Sequence, residues 1–182
     1  FRAILGISWF WFYGATFLAQ LPIFAKDYLG GQEGTVVLLL TVFSVGIGMS
    51  GPTLIAHGSD AQKQRYLAPM LRGDEVWCQL FSEPNAGSDL AGLRTSAVRD
   101  GDEWIVNGQK VWTSGARGAD YGMLIARTDW DVAKHRGITF FFFPMKQPRV
   151  EVRPLRQITG DARFNEVFIT DARVPHANML GE

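Results

Sequence analysis

Three observations predict an α+β fold in which an antiparallel β-barrel or sandwich of about seven strands follows hydrophobic helices. Charge is segregated: of eighteen basic and eighteen acidic residues, only Arg2, Lys26, Asp27 and Glu33 precede Gly58. From residue 76 onward, short apolar runs alternate with Gly, Pro, Asn and Asp, the punctuation of a β domain. Between these regions, residues 59–71 (SDAQKQRYLAPML) combine a candidate N-cap, a charged face and a following Gly73, which reads as a short helix.

The chain of 182 residues suits one domain with a proper core, or one small domain plus part of another. Its formal net charge of zero leaves no broad cationic surface, so nucleic acid is not an expected partner. Cys78 is the single cysteine, which excludes an internal disulfide and suits a reducing compartment such as the cytoplasm. His57, His135 and His176 lie far apart with no ligand-spaced neighbour, and no metal site is predicted.

Residues 3–25 and 34–56 carry no charge. Each run of about 23 residues is long enough to cross a hydrocarbon layer roughly 30 Å thick, and neither shows a polar stripe at helical spacing. Two membrane-type helices are therefore predicted within 1–49, with membrane attachment through 1–56. A helical segment follows at 50–74 and a β domain at 75–182. In the 59–71 helix, Pro69 is expected to kink or end the run and Gly73 to stop it.

The predicted strands are 76–81, 95–99, 103–106, 109–113, 121–128, 138–145, 150–155 and 164–170, the second, third and fourth forming a meander. Asp100-Gly101 and Asn107-Gly108 supply the residues that tight hairpin turns require. Residues 138–143 (ITFFFF) are too apolar to have one wet face and are expected as a central strand covered on both sides.

Two stretches carry chemistry. In SEPNAGSD (82–89), Pro84 ends a strand, Asn85 and Gly87 permit positive φ, and the amides that follow can converge on an anion such as a pyrophosphate, with Ser88 adding a hydroxyl. In QKVWTSGA (109–116), Trp112 offers a flat apolar plate for a planar ring, and Thr113 and Ser114 offer hydroxyls beside it. Each alone is an ordinary loop or a core tryptophan; their conjunction points to a flavin. Glu83 and Asp89, the nearest carboxylates, read as turn and cap residues, and no catalytic base is assigned.

CQLFSEPNAGSDLAGLRT, DGDEWIVNGQKVWTSGARGADYGMLIART and RQITGDARFNEVFITDARVPHANMLGE resemble the middle β domain of acyl-CoA dehydrogenases, and GPTLIAHGSDAQKQRYLAPMLRGD resembles the end of the helical domain before it. The resemblance implies FAD lying against Gln79, Phe81, Ser82, Gly87, Ser88, Trp112, Thr113 and Ser114, with Ser88 also reaching the acyl-CoA substrate. Ser82 and Ser114 stand where threonine is common in the family. It further implies α,β-dehydrogenation of a thioester, electron-transfer flavoprotein or a similar acceptor as partner, and a homo-oligomer. The base, a glutamate, is expected from a C-terminal helical domain, so the chain alone is predicted inactive. SWFWFYGATFLAQLPIFAKDYLGG followed by VVLLLTVFSVGIG resembles two membrane segments of a major-facilitator-type transporter, which would make the sequence a fusion. The competing readings are a flavin monooxygenase or oxidase of the same fold, and a non-catalytic membrane-anchored protein.

Overall fold

The computed structural model describes residues 42–181. The first uncharged run, 3–25, lies outside the described residues. The second ends in a π-helical segment, Val42–Ser50, and a short helix α1, Gly51–His57. No helix among the described residues is long and apolar enough to cross a membrane. Val45 and Leu54 are instead buried with Tyr66, Met70, Trp77 and Phe142. Within 45–56 the membrane reading is thereby corrected: the buried residues Val45, Gly46, Ser50, Gly51 and Leu54 pack into protein.

Helix α2, Asp60–Arg72, starts with the reciprocal cap that its sequence allows: the Gln62 amide donates to the Ser59 hydroxyl, and the Ser59 amide donates to the Gln62 side-chain oxygen. The Gln62 side-chain NH2 then donates to the carbonyls of Ala177 and Met179 at 2.8 and 2.7 Å, so the cap also ties the helix to the far end of the sequence. Pro69 does not end this helix. It sits within the last turn, where its missing N–H removes one hydrogen bond, and the helix runs on to Arg72 before Gly73 (φ 73°) closes it.

Among the described residues eight strands form one sheet: β1 Trp77–Leu80, β2 Ser96–Asp100, β3 Glu103–Ser114, β4 Tyr121–Arg127, β5 Ile138–Pro144, β6 Val150–Leu155, β7 Phe164–Pro175 and β8 Met179–Leu180. Their order is β6-β7-β3-β2-β4-β5-β8, with β1 paired to β4. The α+β class holds, with three refinements. The sheet is mixed, because β1 and β2 both run parallel to β4; it ends at β6 and β8 and does not close; and β8 adds a strand too short to leave a sequence pattern.

Asp100-Gly101 makes the expected hairpin, with Gly101 at φ 62°. Asn107-Gly108 does not turn: β3 passes straight through it. Asn107 is used sideways, donating from Nδ2 to the Asp171 carboxylate and accepting from the Asp171 amide, at a bulge where Asp171 has φ 48°. Gly108 is required by crowding. A Cβ there would overlap Thr95 Oγ1 and lie 2.7 Å from Thr95 Cα.

Strand β5 is covered on both sides as its sequence demands. Phe141 and Phe143 join one core with Leu80, Val106, Leu124 and Val167, while Phe142 joins the other with Tyr66, Trp77 and Met123. In that second core Trp77 stacks on Tyr121 at 4.9 Å, Tyr66 meets Phe142 edge-on at 5.0 Å, and the Tyr66 hydroxyl donates to Asn178 Oδ1. Burial, reinforced by the nearby Tyr121, pushes the Tyr66 phenol up to about 12.

Gly108→Ala should destabilise the fold by about 1–3 kcal/mol through overpacking. Gly101→Ala, where a Cβ meets nothing but φ is positive, should cost about 1 kcal/mol; urea midpoints of the two variants check the order. Tyr66→Phe should cost about 1–2 kcal/mol from the unpaired Asn178. Because the folded phenol titrates above its unfolded value, its contribution is complete below pH 10 and is lost as pH rises toward 12. Stability measured over that interval should fall more in the wild type than in Tyr66→Phe.

Candidate functional site

The two chemistry-bearing stretches meet at a break in the sheet. One edge of β4 pairs with β5. Along the other, β1 covers Tyr121 to Leu124 and β2 reaches only Arg127. Between them the chain leaves β1, makes the excursion 81–95 and returns as β2. The backbone of β4 at Ile125 therefore has no strand beside it on this edge, and a buried carbonyl there needs another donor.

Lys110 of β3 supplies that donor. Its ammonium, with no exposed side-chain surface, donates to the carbonyls of Ile125 (2.9 Å) and Phe81 (3.1 Å) and to Glu83 Oε1 (2.8 Å). The Glu83 carboxylate also accepts from the backbone amides of Arg94 (2.7 Å) and Thr95 (2.9 Å), where the excursion re-enters the sheet. Burial pushes the Glu83 carboxyl up, but hydrogen bonds from Lys110, Thr95 and Arg94 together outweigh it and hold the group below the usual carboxylate range. Burial lowers Lys110, and Glu83 opposes that effect.

The excursion opens as a turn: Glu83 and Ala86 exchange two backbone hydrogen bonds (2.9 and 3.1 Å) around Pro84-Asn85. Neither Asn85 nor Gly87 adopts positive φ, so the freedom expected of them is not used. Gly87 matters through space: a Cβ there would meet no atom within 4 Å, so the backbone faces open surface beside the exposed Ser88. Asp89 caps nothing through its side chain and instead binds Lys134 at 2.7 and 2.8 Å. The buried Arg127 guanidinium holds the later part of the loop through the carbonyls of Ala91 and Leu93, and also donates to the carbonyl of Lys134 in the β4–β5 connection.

The second stretch is seated directly against the first, since the Val111 amide donates to the Ser82 carbonyl at 2.9 Å. Immediately beyond, β3 carries one extra residue against β7, between Lys110 and Thr113, and Trp112 takes φ 61°. For a residue with a bulky side chain this conformation costs about 1–2 kcal/mol. It turns the indole out of the sheet, 57% exposed, with its edge against Phe164 at 5.8 Å between ring centres.

The predicted site residues divide accordingly. Phe81 and Ser82 (both half-buried), Gly87, Ser88, Trp112 and Ser114 belong to the two hydrogen-bonded stretches around this opening, and Gln79 lies half-buried on β1 leading into it. Thr113 is the exception. Burial alternates along 111–114, its side chain is 1% exposed, and its hydroxyl, like Asn165 Oδ1, is buried with no hydrogen-bond partner among the described residues. Sequence reasoning missed Lys110. The available signal was a lysine inside a strand of otherwise core spacing, next to Val111 and four residues from the buried Val106. A cavity of about 590 Å³ lined by His57, Arg65, Tyr66 and His176 lies elsewhere and contains none of these residues.

The described residues thus form a short helical segment packed on a mixed sheet, with an indole, hydroxyls and an open glycine backbone around a break in that sheet. The family model of the acyl-CoA dehydrogenase middle domain matches residues 78–172, and that of the acyl-CoA dehydrogenase N-terminal domain matches 32–74. The chain belongs to the acyl-CoA dehydrogenase family. The transporter-like reading is corrected with it for the second uncharged run, 34–56, which falls within the N-terminal-domain match.

The chain is 52% identical over 132 residues to acyl-CoA dehydrogenase FadE34 of Mycobacterium tuberculosis, covering 72% of this chain and 19% of that one. Among solved structures, the Tcur3481-Tcur3483 steroid ACAD matches with a TM-score of 0.71 at 32% identity, covering 91% of this chain and 48% of that one. The ChsE4-ChsE5 complex from Mycobacterium tuberculosis matches with a TM-score of 0.68 at 38% identity, covering 86% and 43%. The chain thus spans less than half the length of each of these relatives.

Glu83→Gln should destabilise the protein at neutral pH by about 3 kcal/mol, because Lys110 is left charged in a buried place. Glu83 titrates below its unfolded value, so its contribution is present above the ordinary carboxylate range and is lost as pH falls through the folded value. Urea denaturation at a series of pH values should show wild type and variant converging in acid.

Proposed function

We propose that this chain is the part of a FAD-dependent acyl-CoA dehydrogenase that holds and covers the flavin ring, in a protein that removes the α and β hydrogens of an acyl-CoA thioester. The observation that carries the reading is Trp112, held at a costly φ and turned outward one residue from the hydrogen bond that joins it to Ser82. The residues present fit the cofactor. Trp112 provides a plate for one ring face, Phe81, Ser82 and Ser114 border it, and the backbone at Gly87 is open to close approach with Ser88 adjacent. Gln79 would flank the ring from β1. Thr113 contributes by filling the strand's buried face, and its hydroxyl is left out of the ring contacts. Bound flavin would supply the acceptor for the hydride.

The chain's own part is to orient that ring, to cover it, and to direct Ser88 toward the substrate. Among the described residues no base is assigned. Glu83 is consumed by Lys110 and two amides, and Asp89 by Lys134. The α-proton would be removed by a carboxylate from elsewhere in the full chain, and that division of labour favours a dehydrogenase whose helical domains close over this sheet. Residues 32–74 would belong to the helical domain and those from 75 to the β domain. The likeness to the Tcur3481-Tcur3483 steroid ACAD supports a steroid-ring acyl-CoA as one substrate to test, and the likeness to the ChsE4-ChsE5 complex supports assembly with a second subunit. The reoxidising partner would be electron-transfer flavoprotein or a similar acceptor.

The test is the full chain purified with its flavin. It should show a yellow flavin chromophore that bleaches on adding acyl-CoA without oxygen. Trp112→Ala, at an exposed position, should leave folding intact and raise the flavin dissociation constant about fivefold to tenfold, from about 1–1.4 kcal/mol of lost ring contact. A colourless folded protein that takes up no FAD would sink the proposal, and substrate-reduced flavin that is reoxidised by oxygen fast enough to sustain turnover without another acceptor would favour the oxidase.

A further inference from the structure

We propose that Lys110 and Glu83 are positioning residues of the flavin site: their buried ion pair sets the spacing between the 82–88 loop and Trp112, and so places the two faces that receive the ring. The inference rests on the flavin reading above and goes beyond it, because neither side chain is exposed enough to touch a ligand.

The geometry makes the pair a joint between four pieces of backbone. The Lys110 ammonium grips the end of β1 at Phe81 and the uncovered part of β4 at Ile125. Glu83 grips the returning chain at Arg94 and Thr95. One hydrogen bond, Lys110 Nζ to Glu83 Oε1, joins these two grips. Lys110 lies two residues before Trp112, on the strand segment whose Val111 amide bonds Ser82. A shift of the ammonium therefore moves the loop and the indole relative to each other. Around the same break Arg127 binds carbonyls of the loop at Ala91 and Leu93, but it reaches neither Ser82 nor Trp112, so it cannot set this spacing.

A pair that only stabilised the fold would be replaceable by an uncharged pair, since apolar or neutral replacements of buried ion pairs are often tolerated when both charges go together. A positioning pair would not be, because the neutral replacement no longer holds the Phe81 and Ile125 carbonyls. The experiment uses the full chain with FAD and compares Lys110→Met, the double variant Lys110→Met/Glu83→Gln, and the milder Glu83→Gln, which keeps an oxygen for the Arg94 and Thr95 amides. Tyr66→Phe, remote from the break, serves as a destabilised control.

The expected result is that the double variant recovers most of the thermal midpoint lost by Lys110→Met. Its flavin dissociation constant should nevertheless stay at least about tenfold above wild type, with an altered flavin absorption band, while Tyr66→Phe binds flavin normally. A double variant with wild-type flavin affinity and spectrum would overturn the inference and leave the flavin reading standing. Should the double variant not fold, Glu83→Gln decides: weaker binding with an altered band supports positioning, and unchanged binding overturns it. Wild-type protein that takes up no FAD would overturn the flavin reading and this inference together.

Discussion

A buried strand edge with no neighbour is the constraint on which the rest of the described structure depends. Backbone polar groups inside a protein must find partners, and β4 at Ile125 has a strand on one side only. The sequence meets this demand with a lysine from β3, and a buried ammonium in turn demands an anion, which is Glu83. The loop that carries Glu83 is thus not free to wander. Its first residues are fixed by the lysine and its return by the glutamate, and the stretch between them is left to face outward. A break in the sheet, ordinarily a weakness, has become the place where a loop of small residues is presented on a rigid base.

The bulges of β3 and β7 show how the same sheet buys orientation with strain. The two non-glycine residues at positive φ among the described residues, Trp112 and Asp171, both sit at irregularities of this one strand pair. At Asp171 the strain is answered locally by Asn107, which bonds both its amide and its carboxylate. Nothing comparable answers it at Trp112, whose indole is mostly exposed and meets Phe164 at its edge. Strain that is compensated reads as a structural joint; strain left uncompensated on an exposed aromatic reads as function.

Much of this was legible in order of physical simplicity. The α2 cap and its glycine stop, the Asp100-Gly101 hairpin and the doubly covered phenylalanines of β5 follow from local rules, and each is where its residues place it. Asn107-Gly108 misled because the same dipeptide that makes a turn also serves where a neighbouring chain crowds the backbone, and only the position of Thr95 distinguishes the two. The parallel pairing of β1 was invisible because parallel partners are distant in sequence. The uncharged stretch 45–56 misled for a related reason: absence of charge is compatible with burial but does not say whether lipid or protein does the burying. At the site, hydroxyls and indole were readable as types, but the inward turn of Thr113 depends on strand parity across a bulge, and Lys110 looked like any surface lysine.

The two carboxylates nearest the loop bear on how the reaction can be divided. A base must reach the substrate proton with a lone pair free to accept it. Glu83 meets neither condition, since it is buried, held in its charged form and already accepting from three donors. Asp89 is exposed but engaged by Lys134. With its nearby carboxylates committed to structure, the surface proposed to face the flavin would offer an indole, hydroxyls and amides and few reactive side chains. Such a surface can hold and orient an oxidant without competing for its protons. Under the proposed function, the group that abstracts the proton would approach from across the substrate, and the rigidity set at the Lys110 joint would govern how well hydride acceptor and distant base are aligned on one carbon–carbon bond.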